Sequence, residues 1–175
     1  MDITTLPEPW LLSIYVASYK FHLIVIQMNL RKARITELKT IISWIPNELT
    51  CKSWAGPKVR FPLSIESLSK DIEFSDNNSY CLIKSEAIIA FGQLLTKEKG
   101  YLHLARIIVD PSKRAMGYGK LLCNELLQIA IQKGYHKISL NVYRNNTSAL
   151  KLYKNLGFRE IAEKSSKENC HMIRP

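Results

Sequence analysis

The chain has 175 residues, of which 46% are hydrophobic and 23% are charged, with a formal net charge of +10. This length and composition predict one soluble globular domain with a sizeable core. Four widely spaced cysteines form no Cys-x-x-Cys pair: Cys51, Cys81, Cys123 and Cys170. Their spacing argues against a zinc site or a disulfide framework, so we expect free thiols, no bound metal and a reducing compartment, the cytoplasm.

The positive charge has two interpretations. A basic face attracts phosphate backbones and is typical of nucleic-acid binders. The alternative is a solvated basic surface combined with a small phosphate site. The 25 Lys and Arg residues are spread along the chain, without a long basic run or an aromatic-basic repeat. We therefore favour the second interpretation and keep a basic nucleic-acid-binding protein as an alternative.

Residues 1–27 contain two apolar runs, Trp10–Tyr19 and Phe21–Val25, which Lys20 separates. An acidic start argues against a signal peptide, and the central lysine argues against a membrane span. We hypothesise that residues 1–27 are an upstream extension without a role in catalysis and that the domain comprises residues 28–175. The functional alternative is a helix that docks on a partner or a membrane surface.

The first half of the domain contains strand and helix signals in turn. Met28 begins a strand-like segment, and Thr36 is a helix N-cap residue followed by apolar residues at helical spacing, up to Pro46. Residues 50–63, rich in Pro, Gly, Trp and basic residues, are predicted to be a loop. Ser64 is predicted to cap a second helix.

Two strands, Tyr80–Lys84 and Ala87–Leu95, are predicted next, and the short turn between them indicates an antiparallel hairpin. Gly92 marks a possible bulge in the second strand. The apolar run Leu102–Val109 then predicts a strand that is covered on both faces. By period-two alternation, Arg106 is expected on the opposite face from His103, either paired with an acid or reaching a substrate.

A turn and a glycine-bearing loop join this strand to a helix that runs to Ile131 and ends before Gly134. The first N–H groups of a helix have no internal partner, and glycines allow an anion to approach them. Lys113, Arg114 and Lys120 add positive charge at the same place. The stretch therefore predicts a phosphate site.

The loop does not fit two common phosphate motifs. A dinucleotide fingerprint requires glycine at Leu122, and a P-loop requires Ser or Thr at Leu121. The spacing Arg114-x-x-Gly117-x-Gly119 resembles motif A of the GNAT superfamily of N-acetyltransferases. In that family the loop wraps the pyrophosphate of acetyl-CoA.

A second segment strengthens the resemblance. Residues 140–158 are similar to motif B of the family, with the pattern Asn146-x-x-Ala149-x-x-x-Tyr153-x-x-x-Gly157-Phe158. Asn146 suits a helix N-cap and Gly157 a C′ position, and the apolar residues between them repeat at helical spacing. The resemblance covers approximately residues 28–175.

The resemblance implies an α/β GNAT fold, a mixed and mostly antiparallel sheet flanked by helices. The central strand and the strand near Ile138–Val142 diverge in that fold, and the pantetheine of acetyl-CoA, the co-substrate, enters the gap. A backbone N–H near Ile107 to Val109 polarises the thioester carbonyl. By this resemblance the acetyl-CoA contacts are Ile107, Ile108, Val109, Arg114, Ala115, Met116, Gly117, Tyr118, Gly119, Lys120, Asn146 and Ala149.

Tyr153 stands where the family has its catalytic tyrosine, and a phenol can protonate the departing thiolate. The alternative is a core aromatic residue with a satisfied hydroxyl. Some members carry a Glu general base twelve residues earlier, but this chain has Asn141. His103 is then the candidate base, unless it is a packed and inert strand histidine. Otherwise water serves, with an acceptor amine of low pKa.

The sequence says less about the site that binds the acceptor amine. In the family it commonly involves the first two helices and their connection, which makes Trp54, Arg60 and Phe61 candidates. These aromatic residues could equally pack the loop onto the core. The expected reaction is direct attack on acetyl-CoA, in a ternary complex, by an amine of a small molecule or a protein N-terminus. A CoA-binding sensor without catalysis is an alternative, since Asn141 replaces the base. A homodimer is possible, and a membrane partner is not expected.

Overall fold

The computed structural model describes residues 28–98 and 100–175, and its core is one seven-stranded sheet. The strand order is β1-β2-β3-β4-β5-β7-β6, and every neighbouring pair is antiparallel except β4 and β5. The strands are β1 (Met28–Lys32), β2 (Ser79–Lys84), β3 (Ala87–Glu98), β4 (Tyr101–Val109), β5 (Lys137–Tyr143), β6 (Arg159–Glu160) and β7 (Asn169–Arg174). The predicted mixed, mostly antiparallel sheet is confirmed. The expectations for residues 1–27 lie outside the described residues.

In the described residues, five α-helices flank the sheet: α1 (Leu38–Ser43), α2 (Glu48–Ala55), α3 (Ile65–Asp71), α4 (Tyr118–Gln132) and α5 (Thr147–Asn155). Short 3-10 helices occupy Ile35–Glu37, Pro111–Lys113 and Ala162–Lys164. Within the described part of the chain, none of the helices combines the length and the apolar character needed to cross a membrane.

The helices form two layers because each has an apolar stripe that packs on one face of the sheet. Leu122 and Leu126 of α4 are fully buried in the cluster that contains Leu102 and Leu104 of β4. The helices α1 to α3 cover the other face in a second cluster. As the apolar run predicted, β4 is covered on both faces.

Several local predictions are confirmed. The Ser64 side chain accepts a hydrogen bond from the backbone N–H of Ser67 and caps α3. Gly134 and Gly157 have φ angles of +81° and +86° at the ends of α4 and α5. All four cysteines are buried and unpaired. As a separate observation, no group of three or more His, Cys, Asp or Glu side chains within residues 28–98 and 100–175 is placed to hold a metal ion, and the expectation of no bound metal stays a prediction.

Two predictions for the first half are wrong. The stretch expected to be a loop begins inside α2, which Asn47 caps by accepting a hydrogen bond from the N–H of Thr50 at 2.9 Å. Cys51 is the only buried residue of this helix, so its sequence lacks a strong apolar period. Thr36, the expected N-cap, lies in a 3-10 turn, and α1 begins at Leu38.

A buried carboxylate joins β1 to the start of the helical layer. Glu37 is 9% exposed and forms ion pairs with Arg31 of β1 and with Arg34. It also accepts a hydrogen bond from the backbone N–H of Arg34 at 2.8 Å. The hydrogen bond from Arg31 is the largest cause that lowers the pKa of Glu37 to about 2. The pair therefore anchors the edge strand β1.

The lowered pKa predicts a pH-dependent contribution to stability. Because the folded-state pKa of Glu37 lies below its unfolded value, the carboxylate stabilises the fold above about pH 5 and loses this effect as the pH falls towards 2. Glu37→Gln should lower the free energy of unfolding by roughly 1.5–3 kcal/mol at pH 7. Urea denaturation of both proteins should show this difference shrinking below pH 5. A difference that is the same at pH 7 and pH 3 would contradict the assignment.

Candidate active site

The sheet opens at its centre. The parallel strands β4 and β5 pair only at Tyr101–His103 with Lys137–Ser139, and beyond these positions they separate. In the part of the chain that the structure describes, the backbone groups of β4 from Leu104 to Val109 therefore have no strand neighbour on the β5 side. The gap between the two strands forms a cleft of about 760 Å³. The separation of β4 from β5 is the divergence that the sequence resemblance predicts.

A β-bulge shapes the β4 wall of the cleft. Between two paired positions, β3 has only Gly92 where β4 has both Arg106 and Ile107. Arg106 has a positive φ of +53°, which is rare for a residue with a side chain. The irregularity predicted at Gly92 is present, but the extra residue lies on β4, opposite the glycine, and not on β3 as expected. A Cβ atom on Gly92 would lie 2.6 Å from Cδ1 of Ile107, so this glycine makes room for the bulged residue.

The bulge changes the direction of Arg106. Its Nη1 donates to the Gln93 side chain at 2.8 Å and to the Ile72 carbonyl at 3.2 Å. Gln93 is paired with Ala105, which shares its sheet face with His103. The expectation that Arg106 and His103 point to opposite faces is therefore wrong, because the extra residue breaks the period-two alternation.

The cleft is lined by residues from β4, the loop before α4, the end of β5, α5 and α2. From β4 and the following loop these are Leu104, Arg106, Ile107, Ile108, Val109, Lys113, Arg114, Ala115, Gly117, Tyr118, Gly119 and Lys120. From the other elements they are Leu49, Thr50, Ser53, Trp54, Asn141, Val142, Tyr143, Asn145, Asn146, Ser148, Ala149, Leu152 and Tyr153. Among the described residues, the lining contains four basic side chains and neither a carboxylate nor a histidine, so it favours an anionic ligand.

The loop before α4 ends in unpaired backbone donors. Gly117 is the N-cap residue in a left-handed conformation, with φ +84°. Leu121 is the first residue of this helix whose N–H is bonded, to the Gly117 carbonyl at 3.1 Å. The N–H groups of residues 117–120 have no partner among the described residues, and they lie at the positive end of a 15-residue helix. This arrangement is an anion site.

Tyr153 of α5 lies in the cleft with its ring packed edge-on against Phe158, at 5.9 Å between ring centroids. The side chain is 8% exposed. Burial raises the pKa of the phenol well above its ordinary value, and the nearby Cys123 adds to this effect. Tyr153 therefore stays protonated at neutral and moderately alkaline pH.

Most residues assigned by the resemblance meet in the cleft, with two qualifications. Met116 is 61% exposed and does not line it. Tyr118 is 8% exposed, packs in the core cluster and accepts a hydrogen bond from Nζ of Lys84 at 3.1 Å. The Tyr118 side chain is thus structural, and only its backbone N–H is available to an anion.

The three candidates for acceptor binding lie apart. Trp54 lines the cleft, and its Nε1 is buried without a hydrogen-bond partner. Arg60 is bound instead to Asp71, with Nη2 and Oδ1 2.7 Å apart, and neither it nor Phe61 lines the cleft. The second buried donor without a partner in the described chain is Nε of Arg106. Both such donors therefore belong to cleft residues, and unpaired donors of this kind are typical of functional sites.

The two candidate positions for a base have different surroundings. His103 is 6% exposed, lies 2.9 Å through Nδ1 from Oγ of Ser139, and does not line the cleft. Asn141 lines the cleft, and its Oδ1 lies 2.9 Å from Nδ1 of His171 on β7. Sequence reasoning did not find His171, because its approach to Asn141 depends on the β5–β7 register.

A smaller cavity of about 380 Å³ adjoins the cleft and shares Leu49, Ser53, Tyr143 and Asn145 with it. Its remaining lining consists of charged residues: Lys52, Arg144, Lys167 and Glu168. Arg144 forms an ion pair with Glu160 at 2.6 Å. The cavity gives a second ligand access to the cleft beside α2.

Comparison with known proteins agrees with this geometry. The profile of the Acetyltransferase (GNAT) family matches residues 43–158. A [ribosomal protein bS18]-alanine N-acetyltransferase of Haemophilus ducreyi is 38% identical over 80 residues, 45% of this chain and 53% of the relative. A glucosamine 6-phosphate N-acetyltransferase of Trypanosoma brucei brucei is 39% identical over 57 residues, 33% of this chain and 37% of the relative. The chain thus spans about half, or less, of the length of these curated relatives.

Solved structures share the fold over most of the chain. The ribosomal-protein-S18-alanine N-acetyltransferase from Escherichia coli has a TM-score of 0.65 at 20% identity, covering 85% of this chain and 93% of the other. Spermidine N-acetyltransferase from Vibrio cholerae, in complex with CoA and spermine, has a TM-score of 0.68 at 21% identity, covering 84% and 94%. At these identities the likeness establishes the fold alone.

The bulge predicts a specific packing conflict. Gly92→Ala should lower the free energy of unfolding by about 1–3 kcal/mol, because the new methyl group would meet side-chain carbons of Ile107 at 2.6 Å and Leu126 at 2.9 Å. Ile107→Val removes the nearer carbon. In a double-mutant cycle measured by urea denaturation, the two changes together should therefore cost less than their sum, by about 1 kcal/mol.

Gly119→Ala is the control for this experiment, since a Cβ atom there would meet only ordinary contacts at 3.6 and 3.8 Å. Its stability should be unchanged or slightly higher. Strict additivity of Gly92→Ala and Ile107→Val would show that the bulged residue does not pack against the glycine.

Proposed function

The chain belongs to the Acetyltransferase (GNAT) family, and from that premise we propose that it transfers an acetyl group from acetyl-CoA to an amine. The acceptor is an amine of a small molecule or a protein N-terminus, and it attacks directly in a ternary complex. One observation carries the proposal: the gap between β4 and β5 leads to the unpaired N–H groups of residues 117–120. A sheet that parts beside a helix N-terminus suits a ligand with a phosphate end and an amide-bearing arm.

The residues of the cleft fit acetyl-CoA at both ends. Gly117 and Gly119 allow close approach to the helix N-terminus, and the exposed side chains of Lys113, Arg114 and Lys120 supply charge for the phosphates. The free edge of β4 offers backbone donors and acceptors to the amides of the pantetheine arm. When bound, acetyl-CoA supplies the activated acetyl group as a thioester.

The chain's own groups support each part of the chemistry. Holding both substrates in one cleft removes much of the entropic barrier, a contribution of up to about 7–11 kcal/mol. A backbone N–H of β4 between Ile107 and Val109 would polarise the thioester carbonyl. Tyr153, protonated and lining the cleft, would donate its proton to the sulfur as the C–S bond breaks.

The smaller cavity beside α2 would admit the acceptor. It opens into the cleft through residues shared by both, and Trp54 lies on the same helix as Leu49 and Ser53. Arg60 and Phe61 remain predictions for acceptor contacts beyond this cavity. A cytoplasmic location and a homodimer also remain predictions, which cell fractionation and sedimentation of the purified chain would test.

Two alternatives from the sequence compete with this proposal. A CoA-binding sensor fits the same cleft, and it would bind acetyl-CoA but release no CoA with any amine. A nucleic-acid-binding protein fits the net charge of +10. The positive lining of the cleft lies inside a concave gap rather than on an open face, which favours a small phosphate ligand.

Binding of acetyl-CoA is tested most simply with two matched glycine variants. Gly117 and Gly134 have φ angles of +84° and +81°, and a Cβ atom at either position would meet nothing within 4 Å. They lie at opposite ends of α4. Gly117→Glu places a side chain and a negative charge in the phosphate loop, so we expect it to abolish binding in calorimetric titration. Gly134→Glu carries the same backbone strain and charge and should bind as the wild type does.

Equal loss of binding in both variants would show that strain in α4, and not the phosphate loop, governs affinity. A wild-type protein that does not bind acetyl-CoA would contradict the proposed function itself.

Removal of the Tyr153 hydroxyl tests whether this residue is the general acid. Tyr153→Phe should lower kcat by at least about tenfold, while the dissociation constant for acetyl-CoA changes little, because the ring and its packing are kept. Tyr80→Phe is the matched control, since Tyr80 is 5% exposed, donates to the Asn77 carbonyl and does not line the cleft. CoA release measured with a thiol reagent reports both rates. Unchanged turnover in Tyr153→Phe would remove this residue from the mechanism.

A further inference from the structure

Asn141 and His171 form a side-chain pair at the wall of the cleft. They are directly opposite each other on the antiparallel strands β5 and β7, and Oδ1 of Asn141 lies 2.9 Å from Nδ1 of His171. Directly opposed residues of an antiparallel pair project from the same face of the sheet. Because Asn141 lines the cleft, the imidazole of His171 lies beside the cleft on the same face.

The partner fixes the chemical form of the histidine. An amide oxygen can only accept a hydrogen bond, so Nδ1 of His171 carries the hydrogen and donates it. In the neutral imidazole the lone pair is then on Nε2, which is the form that a general base requires. The backbone of His171 is also held, since its N–H donates to Oγ of Ser165 at 3.0 Å and its carbonyl accepts from the N–H of Ile161 at 2.9 Å.

The proposed reaction needs such a base. An amine acceptor is largely an ammonium ion near neutral pH and must lose a proton before it attacks. Within residues 28–98 and 100–175, no carboxylate and no histidine lines the cleft. His103 is buried behind the lining, and Glu168 lines only the adjoining cavity. The pair with Asn141 places His171 in contact with a residue of the cleft lining.

We propose that His171 is the general base of the acetyl transfer, acting through one water, and that Asn141 is its positioning residue. The inference rests on the proposed function. The acceptor ammonium gives a proton to the water, which gives a proton to Nε2 of His171. The free amine then forms the C–N bond as the C–S bond breaks. Tyr153 protonates the departing sulfur, and the nitrogen of the new amide loses its remaining extra proton to water. A proton from water restores the Tyr153 phenol, and the imidazolium returns its proton to solvent.

Substitution and chemical rescue test the role. With alaninamide or spermidine as acceptor, whichever the wild type acetylates faster, His171→Ala should lower kcat at least tenfold and leave the KM for acetyl-CoA within twofold. Added imidazole should restore a large part of the lost rate, which a purely structural role would not allow. His171→Gln keeps a donor for Asn141 and should be equally slow. His136→Ala, at an exposed histidine before β5, should be fully active and insensitive to imidazole.

Two further variants distinguish the role of His171 as the base from the role of Asn141 as its positioning residue. Asn141→Ala should lower kcat less than His171→Ala, because the imidazole remains but its tautomer and direction are no longer fixed. Asn141→Glu in the His171→Ala background places a carboxylate in the cleft lining and should recover activity without imidazole. Thermal unfolding of each variant identifies any loss that arises from misfolding.

Results that contradict the role of His171 differ from results that contradict the acetyl transfer itself. Full activity of both His171→Ala and His171→Gln in an active wild type would overturn this inference and leave the acetyl transfer standing. A large loss in Glu168→Gln, with none in the His171 variants, would assign the base to the adjoining cavity. A wild type that binds acetyl-CoA but releases no CoA with any amine would overturn the acetyl transfer, and with it the role of His171.

Discussion

The separation of β4 from β5 is the constraint on which the rest of the site depends. Two parallel strands that pair for three residues and then part leave a row of unpaired backbone groups, a cost that folded proteins normally avoid. The bulge at Arg106, opposite Gly92, holds the strand in this shape, and the two helical layers bury the sheet on either side. The unpaired edge of β4 therefore lies in the middle of the sheet, between the two helical layers.

The charge distribution follows the same geometry. The open strands lead to the N-terminus of α4, where successive N–H groups without partners meet exposed lysine and arginine side chains. Elsewhere in the cleft, the side chain of Tyr153 is buried, and this burial raises the pKa of its phenol and keeps it protonated. One cleft thus joins the unpaired N–H groups of a helix N-terminus to a protonated phenol, an arrangement that suits the proposed acyl transfer from a phosphate-bearing thioester.

The features that the sequence predicted are those encoded over short distances. The glycines of the loop before α4, the Asn146 cap and the helical spacing before Tyr153 are local, and they were sufficient to predict the loop and the helix that border the cleft. The helix α2 was missed because an Asn47 cap and packing stabilise it rather than an apolar period. The Arg106 direction and the Asn141–His171 pair depend on a bulge and on a strand register, which arise only when distant segments meet.

The decisive experiment is a crystal structure of the chain with CoA. We expect the pyrophosphate against the N–H groups of residues 117–120, the pantetheine arm along the free edge of β4, and the thiol sulfur within hydrogen-bonding distance of the Tyr153 hydroxyl. CoA bound elsewhere, with β4 and β5 paired along their whole length, would contradict this expectation.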